Sequence, residues 1–235
     1  MSKGHFGECR LCQNQTELCL SHIIPEFMYF PTYDEHHRSM MISKGKSKYE
    51  KKGIREYLLC DICARTVIGK LETYCSPIIK SIQALNIILN GNQYYVPNVD
   101  YAKFKLFQLS LLWRASISSA HMFENINLEK HHEEIIRKML LSQDPGKPNQ
   151  YGCIMFLLDN INLLSKIIWS PVKDTIDSFT CYKFFIGRIF WYFFLSEAYP
   201  KDVENFFITQ EGTIRLVKAT WPEEKVIKRL ASDTF

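Results

Sequence analysis

The chain has 235 residues, 46 % of them apolar and 23 % charged, which excludes a disordered chain and leaves ample material for a core. Twenty-nine Lys and Arg against 25 Asp and Glu give a formal charge of +4, so the overall charge permits a nucleic-acid partner without demanding one. The apolar runs Leu106–Trp113, stopped by Arg114, and Phe184–Ser196, split by Arg188, fall short of the roughly 20 residues a bilayer-spanning helix needs.

The first residues, MSKGHFGEC, hold no apolar signal segment. A soluble protein in the reducing cytoplasm is therefore expected, with no membrane partner. Residues 1–75 are distinct in composition, with six of the eight cysteines and four of the seven histidines. Two C-x-x-C pairs stand there, Cys9/Cys12 and Cys60/Cys63, 47 residues apart. A C-x-x-C on a tight turn aims two thiolates at one ion, and two such pairs complete the four-sulfur shell that zinc prefers in closed sites. Iron–sulfur proteins show tighter cysteine runs, so Zn²⁺ is the expected metal, in a structural role. One pair on a hairpin and one at the start of a helix over Ala64–Tyr74 is the layout of a treble clef.

Between Arg38 and Arg55 stand seven Lys or Arg against Glu50 alone. SKGKSKYEKKG, residues 43–53, has no apolar period and reads as a loop or a solvated hairpin tip, with Lys44, Lys46, Lys48, Lys51 and Lys52 as candidate nucleic-acid-binding residues.

After Pro77, Ile78, Ile79, Ile82, Leu85 and Ile88 follow helical spacing up to Asn90-Gly91. Asp100 caps a buried helix from Tyr101 to about Ser119. A third helix is expected over Leu128–Leu141, then a loop over 142–150. His131 and His132 at the start of that helix lack metal-site spacing and read as surface residues. Beyond Gln150, Tyr151–Leu158, Cys181–Leu195 with Gly187 inside it, Val203–Ile208 and Thr213–Val217 read as strands, and Pro222–Leu230 as a closing helix. The fold class expected is α+β: an N-terminal zinc module over 1–76, then a helical block and a small antiparallel sheet over 77–235. Phe184–Phe194 reads as core strand, and the C-terminal part as a possible surface for a protein partner or a second copy.

Between the cysteine pairs lies Ser21-His22-Ile23-Ile24-Pro25. Together with Cys9/Cys12 and Leu58-Leu59-Cys60-Asp61-Ile62-Cys63, this resembles the HNH, or His-Me finger, endonucleases over about residues 6–75. It is also similar to bacterial HNH-like proteins, some encoded near phage-defence genes. The resemblance implies a treble-clef zinc site and antiviral defence. It also implies hydrolysis of DNA phosphodiesters with Mg²⁺ or Mn²⁺, and His22 as general base. Ser21 and Ala64 stand where the family places ligands of the catalytic ion, which makes Glu72 a candidate replacement, with His36 and His37 behind it. The alternatives are a zinc protein that binds nucleic acid without cutting it, and a zinc-stabilised adaptor in a protein complex.

Overall fold

The computed structural model describes residues 5–43, 46–159, 166–195, 199 and 202–220. Near the N-terminus, β1 (His5–Glu8), β2 (Gln15–His22) and β5 (Arg55–Cys60) form a three-stranded antiparallel sheet in the order β1-β2-β5. Between β2 and β5 the chain makes a short helix α1 (Glu26–Tyr29) and the hairpin β3 (Arg38–Ser43)–β4 (Lys46–Lys51).

That hairpin belongs to a second, larger sheet. Its other strands are β6 (Ile88–Asn90), β7 (Gln93–Val96), β8 (Cys153–Leu158), β9 (Ile167–Ile176), β10 (Phe179–Ile186), β11 (Ile189–Phe194) and β12 (Ile214–Ala219). Nine strands run in the order β4-β3-β9-β10-β11-β8-β12-β7-β6. The pairs β3–β9 and β8–β12 are parallel and the rest antiparallel. This corrects the expectation of a small antiparallel sheet. Segments from both ends of the chain are recruited as strands, and parallel partners far apart in sequence leave no local hairpin signature.

Three longer helices cover one face: α2 (Gly69–Gln83), α3 (Tyr101–Ile117) and α4 (Glu129–Ser142). The Asp100 carboxylate accepts from the Lys103 backbone N–H at 3.0 Å, capping α3. Residues from Phe104 to Ala115 are buried on every side of α3, because α2 and α4 flank it and β11 lies beneath, with Phe107 edge-on to Trp191 at 6.5 Å. Along β11, Ile189, Trp191 and Phe193 join the core under the helices. Phe190 and Phe194 enter separate clusters on the opposite face. Burial on both faces explains the unbroken aromatic run. Gly187, at φ 64°, turns the chain between β10 and β11.

Three local expectations are overturned. The helix does not restart after Pro77: α2 runs through it, because Leu71, Cys75, Ile79 and Ile82 form one continuous buried stripe. Ile88 lies in a strand, and Asn90-Gly91 is the β6–β7 turn, with Gly91 at φ 58°. Val203–Phe206 is a 3₁₀ turn whose Phe206–Phe207 end packs on Phe194, where a strand was expected. The Pro222–Leu230 helix lies outside the described residues. Among those described, no helix is long and apolar enough to cross a membrane.

Candidate functional site

Cys9 and Cys12 lie in the turn between β1 and β2, where the Cys9 N–H donates to the Asn14 carbonyl and the Gln13 N–H to the Cys9 carbonyl at 2.9 and 2.7 Å. Gln13 takes a left-handed conformation, φ 63°, to close that knuckle. Cys60 ends β5, and Cys63 opens a π-helical turn, Cys63–Ile68, which leads into α2. All four sulfurs lie within 4.8 Å of one another, and Cys12 Sγ stands 3.9 Å from Cys60 Sγ. A tetrahedron of sulfurs with metal bonds of about 2.3 Å has edges of about 3.8 Å, so the donor set and spacing suit a metal such as zinc. Among the described residues this is the one cluster of three or more such ligand groups.

Burial and backbone donors oppose each other at these sulfurs. Burial pushes the Cys9 thiol up, but backbone N–H groups of Cys12, Cys60 and Leu11 outweigh it and hold the pKa down at about 7. Burial raises the Cys12 thiol and pushes Cys63 far up. The Cys60 N–H lies 3.3 Å from Cys9 Sγ, and the Cys63 N–H 3.4 Å from Cys60 Sγ. Such donors are what a buried thiolate site requires.

His22 ends β2, half-buried, and its Nε2 lies 2.9 Å from the Lys52 carbonyl. A carbonyl can only accept, so Nε2 carries a proton, and in the neutral ring Nδ1 holds the lone pair. The Lys52 carbonyl is placed by a tight turn. Lys52 and Gly53 have φ of 64° and 68°, and a Cβ on Gly53 would come within 2.6 Å of the buried Tyr29 ring. The Ile54 N–H donates to the Tyr29 hydroxyl at 3.3 Å.

Two arginines from the helical layer grip this module by its backbone. Arg114 of α3, 2 % exposed, donates through Nη1 to the His22 carbonyl at 2.8 Å and to Glu72 Oε1 at 2.7 Å. Arg137 of α4 donates to the Leu11 carbonyl, inside the first knuckle, at 2.6 Å. The backbone carbonyl of His22 and the carboxylate of Glu72 thus share one guanidinium. Sequence reasoning missed both arginines. The signal for Arg114 is a charge ending an apolar helical run, Leu106–Trp113, whereas Arg137 stands within a charged helix and carries no such signal.

Of the loop or hairpin tip expected over 43–53, the hairpin forms, with β3 and β4 paired from Arg38 with Lys51 to Ser43 with Lys46. Lys46, Lys48 and Lys51 lie on β4, an edge of the large sheet, and Lys52 on the turn after it. Lys48 pairs with Glu50. Lys44 lies outside the described residues. Lys46 and Lys48 also line a cleft of about 720 Å³ with Met41, Ile54 and Met122. His36 and His37 stand at the turn entering β3, where His36 meets Glu35 at 3.5 Å and the His37 ring lies edge-on to Tyr33. Asp61 pairs with Arg65 in solvent, and His132 Nδ1 meets the Tyr151 hydroxyl at 2.9 Å.

Fold and site together define a mixed α/β protein in which a four-cysteine cluster that could hold a metal such as zinc adjoins a large, helix-covered sheet. No family model, curated protein or solved structure matches the chain.

Proposed function

We propose that the protein is a divalent-metal-dependent nuclease that hydrolyses DNA phosphodiesters, with a diverged HNH-like site on a treble-clef zinc module. The observation that carries this reading is the His22 imidazole, with Nε2–H tied to the Lys52 carbonyl and Nδ1 left as the base. In the reaction, water attacks phosphorus as Nδ1 takes its proton, the bond from phosphorus to the leaving oxygen breaks, and that oxygen takes a proton from solvent water. Arg114 holds the His22 carbonyl, and so the strand that carries the ring. The four cysteines fill a tetrahedral shell, so zinc folds the module and leaves no open position for chemistry.

A hard ion asks for carboxylate oxygens. Glu72 supplies one carboxylate whose Oε1 is already held by Arg114, so Mg²⁺ or Mn²⁺ would rest largely on the substrate phosphate, as Mg²⁺ commonly does. When bound, that ion neutralises charge on the phosphate. The lysines of β4 favour a second reading, sequence-independent binding of nucleic acid without cleavage.

The test is plasmid cleavage by the wild type and His22→Ala, with Mg²⁺ or Mn²⁺ and equal zinc content in both. The wild type is expected to cut and the variant to lose at least about 100-fold in rate. Salt-sensitive binding with no turnover in the wild type would replace this reading by the second.

A further inference from the structure

The register of β2 and β5 shifts between Cys19 and Leu20: Leu18 pairs with Cys60 and Cys19 with Leu59, but Leu20 pairs with Tyr57 and His22 with Arg55. Leu58 is the extra residue, and its carbonyl accepts from the Arg10 N–H at 2.9 Å. Such a bulge changes which face every later side chain occupies. Without it Tyr57 would oppose Ser21; with it Tyr57 and Arg55 share the face of Leu20 and His22.

This face is open. Leu20 and Tyr57 are each 44 % exposed, and the His5 ring stacks flat on Tyr57 with centroids 4.4 Å apart and planes 15° apart. The opposite face is occupied, since Glu56 there binds Ser118 and Ser119 at the end of α3. Two exposed cations lie further along: Arg55, two residues from Tyr57 on the same face, and Lys52, whose carbonyl meets His22.

Flat exposed rings beside cations have the chemistry that holds unpaired nucleotides, bases on the rings and phosphates on the cations. A duplex hides its base faces and gains nothing from the rings. Two residues along a strand span about 7 Å, about twice the 3.4 Å rise per nucleotide of a stacked strand. A phosphodiester one or two nucleotides from a base on Tyr57 is therefore within reach of His22.

We propose that this face docks a single strand of DNA, one base stacking on the His5–Tyr57 pair and its phosphates meeting Arg55 and Lys52. Delivery of the next phosphodiester to His22 rests on the nuclease reading; the binding itself does not. The experiment is fluorescence anisotropy with a labelled mixed-sequence oligodeoxynucleotide, single-stranded or annealed to its complement, without added Mg²⁺ or Mn²⁺ so that turnover does not enter.

The wild type should bind the single strand more tightly than the duplex. Tyr57→Ala should weaken single-strand binding about tenfold, while Tyr57→Phe, which keeps the ring, restores it. Arg55→Gln should lower the slope of log affinity against log salt by about one. Equal affinity for the two forms, or unchanged affinity in Tyr57→Ala at equal zinc content, would overturn the proposal. So would a self-association seen by sedimentation that Tyr57→Ala abolishes while no oligonucleotide binds. Cleavage is read separately, so loss of nuclease activity alone leaves this result standing.

Discussion

In the three-stranded sheet, Phe6, Leu20 and Tyr57 stand in solvent while Leu11, Leu18 and Leu59 gather around four sulfurs. In the nine-stranded sheet, Phe184, Trp191 and Phe193 lie on one face and Phe185, Phe190 and Phe194 on the other, all buried. The first sheet joins the main core through Leu11, Leu18 and Leu59, and adds to it two arginines on its backbone and a four-cysteine cluster that could hold a metal such as zinc. The second is held by the hydrophobic effect acting on both faces. The difference teaches that the chain keeps its exposed rings and His22 on the small sheet beside the four cysteines, apart from the sheet that is buried on both faces.

The largest effect expected follows from taking the metal away. Structural zinc contributes about 10–16 kcal/mol to the folding of small sites. Chelation, or Cys60→Ser, should strip hydrogen-exchange protection from β1, β2 and β5 while β8, β10 and β11 retain theirs. Simultaneous loss in both sheets would break the comparison. The converse is Trp191→Ala, which empties a fully buried site between Phe107 and Phe193. It should cost about 3–5 kcal/mol in denaturant unfolding, with zinc still bound stoichiometrically by the folded fraction.

The link between the two regions is Arg114. Arg114→Met leaves Glu72 and the His22 carbonyl without their partner and should cost about 3 kcal/mol. Adding Glu72→Gln to it should recover part of that, which a double-mutant cycle measures. A strictly additive pair would remove the link.

The smallest effect expected belongs to the body alone. Lys105 is fully buried and donates to the Tyr151 and Pro148 carbonyls at 2.6 and 3.3 Å. Burial lowers its ammonium to about 7, against about 10.4 in an unfolded chain. Between those values the unfolded state binds more protons, so the cost of burying this charge is full below the folded value and fades as pH rises. The stability of the wild type relative to Lys105→Met should therefore climb by about 2 kcal/mol between pH 7 and 9, followed by thermal or urea unfolding.

Local patterns determined a good deal. The C-x-x-C spacing names the four residues that the fold gathers. Asp100 and the apolar run behind it give α3, and the period of Ile136, Met139 and Leu140 gives α4, while Gly187 in a β-rich run marks an irregularity that the structure makes the β10–β11 turn. Each of these rests on interactions within a few residues. Other features took shape only in the tertiary structure. The parallel pairing of β3 with β9 and of β12 with β8, the passage of α2 through Pro77, and the seating of Lys46, Lys48 and Lys51 on an edge strand all need distant partners. Arg114 meets the His22 carbonyl across 92 positions and Arg137 meets that of Leu11 across 126. The bulge at Leu58, which turns Tyr57 and Arg55 to the face of His22, is a matter of register, and a one-residue change of register leaves composition and periodicity unaltered. Residue types and spacings thus named the four sulfurs, while long-range contacts fixed which way the neighbours of His22 point.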